Sequence, residues 1–319
     1  MTRFVVCGET LIDLVQASGG DRKDSHSSTW LALSAGGPMN SAVALGKLGN
    51  DTHFLGRLSN DAFGLQLRQH ILAANVQLDL ATESSQATSI AVVSLDAEGI
   101  ASYTFHFTNT ANFGWQIDDL PELASDDWLH IASLSCVVNP GAAVLLEWMR
   151  GVKAGVSYDI NVRPTVITDP DEYWNKVQPW LRAVGRRTGI VKASDEDIRF
   201  LAEAEGAGAM RGGDPIDVAA GWVDQYGLAM SVITLGPGGG AAIEPGGQVT
   251  RVEGFPTKVV DTVGAGDTFM AGFLDAHVKL GLGLEDSLRR GAAAASIVCS
   301  RRGAQPPTSA EVDDLIASG

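Results

Sequence analysis

The stretch Asp261-Thr262-Val263-Gly264-Ala265-Gly266-Asp267-Thr268-Phe269 sets a carboxylate directly behind three small residues. Beyond it Phe269, Met270, Phe273, Leu274 and Val278 recur at three- and four-residue spacing, as on an amphipathic helix, and Gly281 supplies a stop. A helix start carries unpaired backbone N–H groups and a partial positive charge, and Gly264, Ala265 and Gly266 lack side chains that would keep an anion away. An acid beside an anion site is a conflict. It resolves if Asp267 takes a proton from a hydroxyl attacking a phosphoryl group, while the N–H groups stabilise charge on the transferred group. The helix dipole is expected to lower the Asp267 pKa and make it a weak base, which a loose phosphoryl transfer with late proton movement tolerates. An Asp or Thr capping a helix after a glycine turn satisfies the same spacing.

Other residues offer polar chemistry at places where strands should end. Asp13 follows the opening run Phe4 to Cys7 and is expected in a loop beyond that strand, where open α/β sheets bind ligands; a turn-forming Asp is the plainer reading. Gly36-Gly37-Pro38-Met39-Asn40 opens a helix, and its glycines permit close approach while Asn40 offers a donor and an acceptor to a polyol. Asp159-Ile160-Asn161-Val162-Arg163-Pro164 closes another strand with an amide and a guanidinium; Arg163 suits phosphate oxygens, or a surface carboxylate. Ser194-Asp195-Glu196-Asp197 reads as a capping box whose acids could instead hold water around Mg²⁺. Gly236-Pro237-Gly238-Gly239-Gly240 after a buried strand allows phosphates to lie on backbone, or forms a tight hairpin.

The elements that must position these residues alternate β and α. Strands are expected at Thr52 to Leu55, Trp128 to Ala132, Val156 to Ile160 and Ser231 to Leu235, with helices at Asp61 to Ala74, Gly141 to Arg150, 172 to 185 and Glu285 to Ser300. The runs Ile90 to Leu95 and Ala101 to Phe107, separated by Asp96-Ala97-Glu98-Gly99, read as a hairpin carrying Tyr103, Phe105 and Phe107 on one face. Inside a βαβ chain that hairpin is a candidate lid, a dimer contact, or both. Residues 16 to 30 are polar and unpatterned. The smooth run Gly291-Ala292-Ala293-Ala294-Ala295-Ser296 permits close helix packing or a ring lying on it.

The chain has 319 residues, 45% hydrophobic and 19% charged, enough for one large α/β domain with insertions. A net charge of −15 argues against nucleic-acid or anionic-membrane partners, so a phosphate site must be local. Cys7, Cys136 and Cys299 are far apart and show no metal spacing, so they are expected to be thiols in a reducing cytoplasm. The apolar run after Met1 is too short for a signal or a membrane span. Neither a Walker loop nor GxGxxG follows the first strand, which places any nucleotide site in the C-terminal half.

Over nearly its whole length the chain resembles the ribokinase-like (PfkB) carbohydrate kinases. The resemblance rests on Asp261 to Asp267, similar to DTxGAGD, on Gly36-Gly37-Pro38-Met39-Asn40, on Asp159 to Pro164, like DxNxRP, and on Thr234-Leu235-Gly236 with Gly239. It implies one domain over 1–319, a three-layer α/β/α core with a mostly parallel sheet, and a small β lid from insertions at approximately 10–34 and 86–112. It implies ATP and Mg²⁺, with Asp267 as base and Gly264, Ala265 and Gly266 as anion hole. Asp13, Gly36, Gly37, Asn40, Phe107 and Asn161 would meet the sugar and Arg163 the transferred phosphate. Lys192, Ser194, Thr234, Gly236, Gly239, Ala295 and Ser296 would surround the nucleotide. A monovalent cation, K⁺, would sit on Asp261 and the Val263 carbonyl.

There are two departures. The family's NxxE is Ser194-x-x-Asp197 here, whose shorter acid would reach Mg²⁺ through water, and the first glycine of GGxxxN is Ala35. Gly8-Glu9-Thr10-Leu11-Ile12-Asp13, the Asn161 stretch and Thr110-Ala111 look most like bacterial fructokinases, so the resemblance implies phosphorylation of D-fructose at its 6-hydroxyl. Alternatives are a 2-keto-3-deoxygluconate kinase, a ribokinase, a nucleoside kinase, or a non-catalytic sugar- or nucleotide-binding regulator. A homodimer formed through the lid is the expected assembly.

Overall fold

In a computed structural model of the protein, residues 2–16, 26–95 and 101–318 are described. The central sheet has eight strands, in the order Val249–Val252, Gly240–Ile243, Met230–Thr234, Ile190–Ser194, Gly155–Asp159, Trp128–Ala132, Phe4–Cys7 and Thr52–Leu55. From Met230–Thr234 to Thr52–Leu55 all neighbours are parallel; the two strands beyond Met230–Thr234 are antiparallel. Parallel strands covered on both faces read as continuous apolar runs. Phe4–Cys7 is such a run and is buried throughout; Thr52–Leu55 is buried throughout as well, although Thr52 and His53 are polar.

The strand period of two divides the core. Val5 and Cys7 join one apolar cluster with Leu145, Tyr173 and Trp222 from the helices Gly141–Gly151, Pro170–Gly185 and Pro215–Tyr226. Phe4 and Val6 point the other way, into a second cluster with Met39, Leu67, Phe273, Leu288 and Val312 from five other helices. The result is the three-layer α/β/α core with a mostly parallel sheet that the resemblance implies.

A four-stranded sheet, ordered Trp30–Ala35, Leu11–Gln16, Ile90–Leu95, Ala101–His106, stands apart from the core sheet. Its register sets Asp13 beside Leu33 and Ala91, and Ala91 beside Phe105, so these four share one face. Asp13 therefore lies within a strand, not in a loop after Phe4–Cys7; a lone acid inside Leu-Ile-Asp-Leu-Val-Gln hid the strand. The turn Asp96 to Gly99, residues 17–25 of the first expected insertion and the Tyr103 side chain lie outside the described residues.

The helix that opens at Ala265 ends at Leu274 and continues as a π turn over Asp275–Lys279. There Asp275 turns inward, accepting from Arg290 Nε at 2.7 Å and Asn50 Nδ2 at 3.0 Å, and this bulges the helix short of Gly281. The strand expected at Val156 to Ile160 runs Gly155–Asp159, and the Trp128 ring, 2.4 Å from where a Cβ on residue 155 would lie, leaves room there only for glycine. Among the described residues no helix is long and apolar enough to cross a membrane.

Candidate active site

The helices Gly37–Lys47 and Ala265–Leu274 pack on each other with both N-termini at the edge where the parallel strands end. Gly36 enters the first at φ 126°, and a Cβ there would lie 2.7 Å from the Glu9 carbonyl, so the turn requires glycine. Asn40, in the first turn, donates from Nδ2 to Asp267 Oδ2 at 2.9 Å. Its Oδ1 is buried without a hydrogen-bond partner among the described residues, as suits an incoming hydroxyl. A Cβ on Gly37 would fall 2.7 Å from Asn161 Nδ2 and 3.2 Å from Asp267 Oδ1. Gly37, Asn40, Asn161 and Asp267 thus line one small space.

Asn161 adopts φ 46°, which an Asn tolerates better than most residues, at the turn leaving Gly155–Asp159. Arg163 holds it there, donating from Nη1 to Asn161 Oδ1 at 2.6 Å, while the Arg163 backbone N–H donates to the Tyr173 hydroxyl at 3.0 Å. With its oxygen occupied, the Asn161 amide presents Nδ2 to the space beside Gly37.

The second helix opens at Gly264 with φ 76° and no side-chain cap; the Ala265 N–H turns back to the Thr262 carbonyl at 3.2 Å, and the amides that follow it lie uncapped beside Asp267. Asp261 fixes the loop before it, accepting from the Val263 N–H at 3.0 Å and the Gly303 N–H at 2.8 Å. On the inner side a Cβ at Gly266 would meet Lys192 Nζ at 2.8 Å. Lys192 is buried at 3% exposure and donates to both Asp159 oxygens, at 2.9 and 3.1 Å. An ammonium therefore lies just under the uncapped amides. That geometry suits a phosphoryl group.

Burial pushes the Asp267 carboxyl above its ordinary value, against the lowering effects of the Asn40 hydrogen bond and the charges of Lys192 and Arg163. The expectation of a dipole-lowered, weak base is corrected: desolvation at 6% exposure outweighs every favourable neighbour. Asp13 is raised to about 6 by burial, with Arg163 opposing. For the Asp159–Lys192 pair, burial drives the acid up and the amine down. The amine's net direction is upward, since Asp159, Asp197 and Asp267 all favour its charge; with two short contacts, the pair is ionic.

Asp197 is spent on backbone, its Oδ1 accepting from the Val162 N–H and its Oδ2 from the Ser194 N–H, both at 2.8 Å, and Ser194 Oγ caps the helix Asp195–Ala202 in return. Among the described residues no three His, Cys, Asp or Glu side chains converge as metal ligands. Thr234 ends its strand beside Ser194 and Gly240; Gly236 and Gly239 both have positive φ in the turn that follows. Ala295 and Ser296 lie half-buried on the helix Leu284–Cys299, where the Ser296 hydroxyl meets that of Thr257. Phe107 packs against Phe105 and Phe113, with centroids 4.8 and 5.2 Å apart. Sequence reasoning gave no role to Asp159 or to Glu9, which is 1% exposed and accepts from the Ser135 hydroxyl at 2.7 Å. An acid ending a buried strand, and one following Gly8, were the available signals.

The profile of the pfkB family carbohydrate kinases matches residues 1–311. A fructokinase from Klebsiella pneumoniae is 30% identical over 274 residues, covering 84% of this chain and 82% of that one. The structure of a fructokinase from Xylella fastidiosa with bound ATP superposes with a TM-score of 0.83 at 25% identity, over 99% of this chain and 98% of that one. A fructokinase from Vibrio cholerae O395, in a form with fructose, ADP and calcium ion bound, gives 0.79 at 25% identity over 99% of each chain.

Proposed function

This chain belongs to the pfkB family of carbohydrate kinases, and from that premise we propose that it transfers the ATP γ-phosphoryl group to the 6-hydroxyl of D-fructose. The observation that carries the reading is Asp267, held by Asn40 and bordered by Gly37 and Asn161, at the uncapped start of its helix. A sugar hydroxyl reaching the unpartnered Asn40 Oδ1 would lie beside a carboxylate whose raised pKa makes it a better proton acceptor. The helix-start amides at Gly264 and Gly266, and that of Ala265 on release from the Thr262 carbonyl, with Lys192 beneath and Arg163 beside, would receive the transferred group.

The fructose and ATP reported for the Vibrio and Xylella proteins support this assignment of acceptor and donor. Gly36 and Asp13 would complete the sugar side, with Phe107 just beyond the last strand of the small sheet, and that sheet would act as a lid excluding water. Ser194, Thr234, Gly236, Gly239, Ala295 and Ser296 would border the nucleotide. Mg²⁺ bound with ATP would neutralise phosphate charge. Asp197 fits that ion through water, because each of its oxygens already accepts a backbone N–H. K⁺ would sit at the Asp261–Val263 turn. Exposed Leu31 and Leu33 on the small sheet suit a homodimer contact, and three free thiols suit a cytoplasmic protein.

A coupled ADP-release assay tests the reading over D-fructose, 2-keto-3-deoxygluconate, D-ribose and adenosine. Turnover highest on D-fructose is expected. Preference for another acceptor transfers the assignment to that kinase, and no turnover on any favours the regulator.

A further inference from the structure

Between the core and the small sheet the described chain crosses at residues 8–10, at Gly36, at residues 85–89 and at residues 107–110. One buried side chain ties three of these crossings together. Asn112, at 2% exposure, accepts at Oδ1 from the Thr10 N–H at 3.2 Å and donates from Nδ2 to the Thr10 carbonyl at 2.6 Å. Thr10 precedes the strand Leu11–Gln16, so the amide acts as a one-residue strand partner for it. The second Nδ2 hydrogen goes to Ser89 Oγ at 3.0 Å.

Thr110 spends its one hydroxyl hydrogen on the Phe107 carbonyl at 2.8 Å, so in the 2.7 Å contact between the two hydroxyls it is Ser89 Oγ that donates, to Thr110 Oγ1. The chain of donors runs one way, because turning the Asn112 amide over would face oxygen to oxygen and hydrogen to hydrogen at Thr10. Its two ends are informative. Thr10 lies three residues before Asp13, and the chain finishes on Phe107.

We propose that Asn112 is a positioning residue for the sugar side of the site, setting through Thr10 and the Ser89–Thr110 link the placement of Asp13 and Phe107. The inference rests on the sugar-kinase reading and adds to it a residue that touches neither substrate. Asn is specified over Asp because three bonds require two donors and one acceptor, and a carboxylate would face the Thr10 carbonyl without a hydrogen.

The test uses the full-length protein with Asn112→Asp and, as a near-isosteric cut further along the chain that is less exposed to misfolding, Thr110→Val. Steady-state kinetics with D-fructose and ATP should show the D-fructose KM raised about tenfold in Asn112→Asp and about threefold in Thr110→Val, with the ATP KM within about twofold of wild type. Hydrogen exchange without ligands should show Leu11–Gln16 exchanging faster in both variants by about tenfold, and Trp128–Ala132 unchanged.

Equal rises in both KM values, an unmoved D-fructose KM, or exchange that quickens equally in the core strand would each overturn the proposal. If Asn112→Asp does not fold, Thr110→Val decides by the same criteria. If wild-type protein leaves D-fructose unphosphorylated, the fructose reading fails. The exchange arm needs no sugar and then decides alone whether Asn112 sets the small sheet.

Discussion

Asn40 donates to Asp267 across 2.9 Å from a residue 227 positions away in the chain, joining the first turns of two helices that open side by side. The bond favours the charged carboxylate and so opposes burial, the larger effect, which raises its pKa. A base raised this way is active when deprotonated, and its rate falls as pH drops through its pKa. Asn40→Ala should therefore move the acid limb of kcat to higher pH, read from a pH–rate profile on D-fructose. A limb that stays in place or moves down would break the link between the two residues.

Gly266 is the second residue of its helix, where alanine is intrinsically favoured by up to about 1 kcal/mol. A methyl there would press on Lys192 Nζ at 2.8 Å, and Asp159 pins that ammonium from the other side. Gly266→Ala is expected to lose at least about tenfold in kcat and to lower the thermal midpoint, because displacing the buried Asp159–Lys192 pair costs more than the helix gains. Retained activity would mean that Lys192 need not lie against Gly266 for the transfer.

Asp61 caps the helix Ala62–Leu72 and reaches across to the segment entering the small sheet, accepting from the Gly64 N–H at 2.8 Å, the Thr88 N–H at 2.8 Å and the Thr88 hydroxyl at 2.6 Å. Burial alone would raise its pKa, but the bonds from Thr88 and Gly64 outweigh it and hold the carboxyl below its ordinary value. Stability from a depressed acid is present above its unfolded pKa of about 3.9 and fades as pH falls through the folded value. Asp61→Ala should cost about 1–2 kcal/mol near neutral pH in urea unfolding, with the gap narrowing below about pH 4. A gap independent of pH would assign the loss to packing.

What could be read from the chain follows from how local each signal is. Thr52–Leu55 and Trp128–Ala132 were legible as short runs rich in aromatic and aliphatic residues, each preceded by an aspartate at a turn, although Thr52, His53 and His130 interrupt them. Trp30–Ala35 did not, because it follows a polar stretch and leaves Leu31 and Leu33 exposed, so nothing marked an inward face. The turn before Asp267 was legible as an anion site, since small residues before a helix are a local pattern. The direction of the Asp267 pKa was not, because it depends on burial created by the packing of a distant helix. Asp159 was visible as a letter but not as the partner of Lys192, a contact between neighbouring strands of a parallel sheet.

Central to the account is Asp267 accepting the proton of a sugar hydroxyl. The most direct measurement is kcat for ADP release with saturating D-fructose in wild type and in Asp267→Asn, which keeps the size of the side chain but removes the base. A fall of about 10²–10⁴-fold with unchanged secondary structure is the predicted result. An Asp267→Asn enzyme that keeps more than about a tenth of wild-type turnover would contradict it, since a general base contributes far more than that.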